Sequence, residues 1–189
     1  MSMPPDLDAE ELKFLAIQAS RNKQSHQALI YLKEALVRSP RQGDLYYLIG
    51  AEHAQLGMYE RAADEMEHAL ALSPQLHMAR LQLALLHLSL GRSEAAMRVL
   101  QPLEQLGAEH ALYQFGQGLQ HLLHERFTPC RHALEKGMAL NTDNPSLNAD
   151  IGKLLNALPA EPVRSDLPPG EAPAGNVWLA AYRQDKEKP

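Results

Sequence analysis

Apolar and small residues recur along this chain with the period of an amphipathic helix, and the pattern is clearest between residues 43 and 74. There Tyr46, Ile49 and Gly50 mark a first helix, and Tyr59, Ala62, Met66, Ala69 and Leu70 mark a second. A short turn at Leu56–Gly57 separates them, and Pro74 closes the unit. The same spacing returns every 34 residues, in frames that start at Ala9, Gly43, His77 and Ala111 with no insertion between them. The eighth position of each frame is small: Ala16, Gly50, Ala84 and Gly118. The twentieth is small again, at Ala28, Ala62, Ala96 and Cys130, and the twenty-fourth is large and apolar, at Leu32, Met66, Leu100 and Leu134. Small residues let two helices approach and large ones fill the space behind them. A hairpin of this kind cannot bury its apolar face alone and needs the next hairpin stacked on it.

The pattern predicts helices over 9–21, 24–38, 75–90, 93–106, 109–124 and 128–140, in addition to the pair within 43–74. Thr128 before Pro129 reads as an N-cap followed by proline at the first helical position. Pro102 falls inside the second helix of the third frame, where it should kink or shorten that helix, and Leu103 stands where a small residue is usual. The closing proline of the first two frames is replaced by Ala108 and Thr142 in the last two. A fifth single helix over 146–158 places Leu147, Ile151, Leu154, Leu155 and Leu158 on one face, as a cap for the open end of the array requires. Residues 159–175 form a proline-rich linker, and 176–189 a tail with a short amphipathic helix around Trp178, Leu179 and Tyr182. Residues 1–8, acidic and broken by proline, are expected to be disordered.

A helix–turn–helix unit of this length, with large–small packing pairs closed by a proline, resembles the tetratricopeptide repeat (TPR). The resemblance implies an all-α, right-handed α-solenoid with repeats at about 9–42, 43–76, 77–110 and 111–144. It also implies a concave surface lined by the first helix of each hairpin, where proteins or peptides bind. Helical spacing puts frame positions two, five, nine and twelve on that surface. Repeat one offers Glu10, Lys13, Ile17 and Ser20, and repeat two Asp44, Tyr47, Ala51 and Ala54. Repeat three offers Met78, Leu81, Leu85 and Leu88, and repeat four Leu112, Phe115, Leu119 and Leu122. The groove therefore starts polar and ends apolar. Eight large apolar side chains call for a cover, which is a foreign helix or peptide, the chain's own tail, or a second copy; the alternative is that a tight superhelix buries them as core. The basic and asparagine clamp that related repeats use for chaperone C-termini is matched at Lys13 alone, with Ile17, Leu48, Met78 and Gln82 at its other positions. Secretion chaperones built from such repeats are similar in architecture and groove character, though no motif specific to them is present.

Composition narrows the chemistry. Aromatics make up only 5% of the chain, which suits helix interfaces built from alanine and leucine. The net charge of −5 gives no field for nucleic acid. Residues 12–42 carry +5 and 43–76 carry −5, a contrast expected of solvated faces that attract each other across the repeat contact. The lone Cys130, at a small interior position, is expected to be an inert core thiol. His53, His87 and His121 share the eleventh frame position, but helices about 8–10 Å apart keep them from one ion. His121 and His124 alone are a weak chelating pair. No phosphate loop, nucleophile elbow or other catalytic constellation is present, so no enzyme activity, cofactor or metal is expected. The most apolar stretch, residues 81–90, is interrupted by Gln82, His87 and Ser89 and is too short for a membrane span, and no secretory signal opens the chain, so a cytoplasmic protein is expected.

Overall fold

The computed structural model describes residues 7–159. Among them are nine α-helices: α1 (Ala9–Arg21), α2 (Ser25–Arg38), α3 (Gly43–Gln55), α4 (Tyr59–Leu72), α5 (His77–Ser89), α6 (Ser93–Leu100), α7 (Ala111–Leu123), α8 (Phe127–Leu140) and α9 (Pro145–Ala157). A 3-10 turn over Gln101–Leu106 follows α6 directly. The chain divides into two compact units, one running to Leu86 and the other from His87.

Each of the four hairpin turns closes in the same way. The carbonyls of Ala19, His53, His87 and His121, all at frame position eleven, accept the amides of Gln24, Met58, Arg92 and Arg126 five residues on. A second bond joins the intervening residue, Lys23, Gly57, Gly91 or Glu125, to the carbonyl three residues back. These paired bonds are the Schellman closure of a helix C-terminus, which needs a left-handed residue just beyond the cap. Gly57 and Gly91 supply it with φ of 74° and 75°. Lys23 and Glu125 adopt φ of 59° and 56° without glycine's freedom, at a cost of about 1–2 kcal/mol each.

In the first unit α1 packs on α2, α2 on α3 and α3 on α4. Its core holds Leu12, Ala16, Leu32, Ala35, Leu45 and Ile49. Gly50 shows why the eighth position must be small. A Cβ there would stand 2.9 Å from Met66 Cγ and 3.0 Å from the Ala62 carbonyl oxygen, which are the twenty-fourth and twentieth positions of the same hairpin. Leu7 and Asp8, expected to belong to a disordered N-terminus, are instead part of this unit. Asp8 Oδ1 accepts the Glu11 amide at 2.8 Å and Glu11 Oε2 accepts the Asp8 amide at 2.9 Å, a reciprocal capping box for α1. Leu7 packs on the core beneath it.

The second unit repeats this logic in α7 and α8. A Cβ on Gly118 would meet Leu134 at 2.5 Å and the Cys130 carbonyl at 3.4 Å. Pro102 ends α6 at Leu100, and the chain continues as the 3-10 turn, whose tighter bonding tolerates the missing amide. Leu103, the large residue at a small position, is accommodated by Gly116 on α7, where a Cβ would lie 3.3 Å from Leu103 Cδ1. Thr128 does not cap α8. The helix begins at Phe127 with Arg126 at its cap, and Pro129 sits in the first turn, where amides have no helical acceptor. On α9 the Asn144 side chain caps the helix through the Leu147 amide. Leu147, Ile151, Leu154, Leu155 and Leu158 are all buried, each side chain contributing about 1.5–3 kcal/mol. Asn148 fastens α9 to α8 by donating to the carbonyls of Met138 and Asn141.

Candidate protein-binding face

Of frame positions two, five, nine and twelve in the first two repeats, Glu10, Lys13 and Asp44 meet in one cluster, and Ile17, Ser20 and Ala51 line one concavity. Lys13 Nζ on α1 reaches Asp44 Oδ2 on α3 at 2.9 Å, and Glu10 Oε2 on its own helix at 2.6 Å. The hydrogen bonds to these two carboxylates raise the Lys13 pKa against the opposing effect of burial. Gln42 closes the same corner by donating to Glu10 at 2.7 Å. A partly exposed ion pair, worth less than about 1 kcal/mol, thus joins the basic first repeat to the acidic second.

Beside that pair lies an open concavity of about 130 Å³. Its α1 wall is Ala16, Ile17, Ser20 and Arg21, its α3 wall is Leu48, Ala51, Glu52 and Gln55, and Leu32 of α2 forms the floor. Ile17, Ser20 and Ala51 are three of the positions expected to face a partner. Glu52 is not one of them. Counted by sequence among the acidic residues of a solvated face, it is only 3% exposed. Its Oε2 is buried and accepts no hydrogen bond among the described residues.

The apolar half of the expected groove is placed differently. Leu81, Leu88, Phe115, Leu119 and Leu122 are buried to 3% exposure or less and present no surface to a partner. Met78, Leu85 and Leu112 are half-buried, as is Tyr47, whose phenol burial pushes up in pKa. Phe115 shows the physical reason. Its ring lies over Gly137 of α8, where a Cβ would stand 2.5 Å from the ring, so the missing side chain makes the slot the ring fills. Apolar exposure appears elsewhere, at Phe14, Ile30 and Val37 of the first repeat. Trp178, Leu179 and Tyr182 lie outside the described residues.

The remaining candidate chemistry is interior. Burial pushes the Cys130 thiol up to about 12, which keeps it protonated and a poor nucleophile. His53 and His87 are buried and His121 half-buried. Burial holds the imidazoles of His53 and His121 below the usual histidine value, so both are neutral at pH 7. Among the described residues no three histidine, cysteine or acidic side chains are placed to hold a metal ion. None of the described helices is long and apolar enough to cross a membrane.

A model of the tetratricopeptide repeat family matches residues 43–76, the hairpin of α3 and α4 with the turn that follows. This hairpin is a tetratricopeptide repeat. Among solved structures, MamA from residue 41 to its end, of Desulfovibrio magneticus RS-1, superposes with a TM-score of 0.58 at 21% identity, over 83% of this chain and 97% of that one. A thermophilic TPR protein of Thermus thermophilus superposes with a TM-score of 0.63 at 19% identity, over 76% of this chain and 80% of that one. A further MamA structure gives 0.58 at 17% identity, over 73% and 81%. At these identities the likeness carries the fold, an all-α solenoid of TPR hairpins. No curated protein matches the sequence significantly. Tetratricopeptide repeats are in general protein-interaction modules.

Proposed function

We propose that this chain is a non-catalytic adaptor or scaffold that binds a helix or peptide of another protein along the faces of its first helices. The observation that carries the reading is the concavity between α1 and α3, formed at Ile17, Ser20 and Ala51, where helical spacing puts the inner face. Met78 and Leu85 on α5, and Leu112 on α7, would extend the apolar contact within each unit. A cytoplasmic setting accords with the lone, buried cysteine. A secretion-type chaperone is the variant in which the partner is unstable alone.

A second reading is self-assembly. Phe14, Ile30 and Val37 favour it, being 53–75% exposed on the first repeat, where a second copy could cover them. A sedimentation coefficient that rises with concentration separates this reading from the adaptor.

The adaptor reading is tested by affinity capture from native lysate, with wild type beside an Ile17→Glu, Ala51→Glu double variant. Both residues are half-buried, so circular dichroism should show an intact helical fold. A partner held by wild type and lost from the variant is the expected result. Equal capture by both would remove the α1–α3 face from the account.

A further inference from the structure

The two hairpin turns of the first unit close through the same pair of bonds, but the residue at their base differs. In the α1–α2 turn the Gln24 amide donates to the Ala19 carbonyl at 2.9 Å, and the Lys23 amide to the Ser20 carbonyl at 2.9 Å. In the α3–α4 turn the Met58 amide donates to the His53 carbonyl at 2.8 Å, and the Gly57 amide to the Ala54 carbonyl at 3.1 Å. Frame position eleven is thus an alanine in the first turn and a titratable residue in the second. His53 is only 7% exposed. Its Nδ1 is sealed from solvent and meets no hydrogen-bond partner among the described residues. A neutral imidazole tolerates this by keeping its single proton on Nε2 and leaving Nδ1 bare. An imidazolium carries an N–H on both nitrogens, so protonation sets a charged donor at Nδ1 with nothing to accept it. Inside a protein that is costly.

The groups around the ring do not remove this cost. Burial is the largest influence and holds the imidazole below the usual histidine value; Glu65 on α4 favours the charge, while Lys33 on α2 and Arg61 on α4 oppose it. Both helices pack with α3 in the first unit, so the two cations and the one carboxylate come from its two neighbours. We propose that His53 is an acid-sensitive latch: its protonation opens the α3–α4 turn, while the α1–α2 turn, with Ala19 in the same place, stays shut. The folded chain binds fewer protons at this residue than the opened one. Closure is therefore fully favoured above about pH 6.5 and is lost as pH falls below it. The latch goes beyond the adaptor reading and does not depend on it. Where that reading holds, α3 also carries Leu48 and Ala51 of the concavity, so acid slackens one wall of the binding face.

The test is amide hydrogen exchange on the full chain, read residue by residue by NMR at about pH 7.5 and about pH 5.5. Each rate is divided by the intrinsic rate at that pH to give a protection factor. The expected result in wild type is a fall in protection at Gly57 and Met58 of several-fold, up to about tenfold, with Lys23 and Gln24 unchanged. The first turn is an internal control, so wild type alone can decide the question. In His53→Phe and His53→Gln, which are neutral at both pH values, protection at Gly57 and Met58 should not depend on pH. Phenylalanine keeps the ring and glutamine keeps a polar tip, so a packing defect in one variant does not hide the answer. The other histidines are common to wild type and variants, which isolates residue 53. Protection at Gly57 and Met58 that ignores pH in wild type overturns the latch. So does an equal fall at both turns, or a fall that persists in both variants.

Discussion

Phe115→Ala is expected to cost about 3–5 kcal/mol of folding stability, lowering the melting temperature by roughly 10 °C. Phe115 is fully buried, with its ring seated over Gly137. Removing the ring leaves a cavity that the flanking backbone of α7 and α8 cannot collapse to fill, because Gly137 has no side chain to swing into it. The result discriminates between two roles. A partner-contacting phenylalanine on an open groove would be replaced at little cost to stability and a large cost to binding. A core phenylalanine gives the reverse, a large shift in a denaturation midpoint. A melting temperature within a degree or two of wild type would show that the ring is not the core element described.

Gly50→Leu is expected to destabilise the first unit by about 3 kcal/mol, measured by chemical denaturation. Leucine is a better helix former than glycine by nearly ~1 kcal/mol, so propensity alone predicts a gain. Packing reverses the sign. Even a Cβ would lie 2.9 Å from Met66 Cγ and 3.0 Å from the Ala62 carbonyl oxygen, and the latter is backbone that can move only with all of α4. Gly152, inside α9, has no packing neighbour within 4 Å of the place a Cβ would take, so there the propensity gain stands unopposed. Gly152→Ala should therefore stabilise by about 0.5–1 kcal/mol. Opposite signs at two helical glycines are the signature of close packing at the eighth repeat position. Matching signs would contradict it.

Much of the fold was legible because the repeat rule is a rule about size. Gly50 against Met66 and Ala62, and Gly118 against Leu134 and Cys130, are contacts within a single hairpin, so a fixed spacing of small and large residues encodes them directly. Pro102 was legible for a different reason: a missing amide acts on its own helix whatever packs around it. The site was harder to read. Helical spacing assigns Phe115 to the inner face, but only its meeting with Gly137 on the next helix turns that face into a slot. Glu52 was hidden by treating acidic residues as a sum, which says nothing about which one lies in the wall of a concavity. The Asp8–Glu11 capping box was present as a local motif, yet Pro4, Pro5 and Asp6 before it gave the segment the composition of a disordered end. Thr128–Pro129 misled because proline is tolerated throughout the first helical turn and does not by itself mark the first residue.

The central claim is that partners bind along the inner face of α1 and α3. Cys130 is buried and protonated, so the native chain gives a quiet background for thiol footprinting. Single cysteines placed by Ser20→Cys and Ala51→Cys report on the concavity, and Val37→Cys reports on an exposed position of α2. The decisive measurement is the rate of maleimide labelling of each, with and without a captured partner. The account predicts at least a roughly tenfold slowing at residues 20 and 51, equivalent to about 1.4 kcal/mol of protection, with the rate at 37 unchanged. Slowing at 37 with free labelling at 20 and 51 would contradict it and move the binding surface to the outer helices.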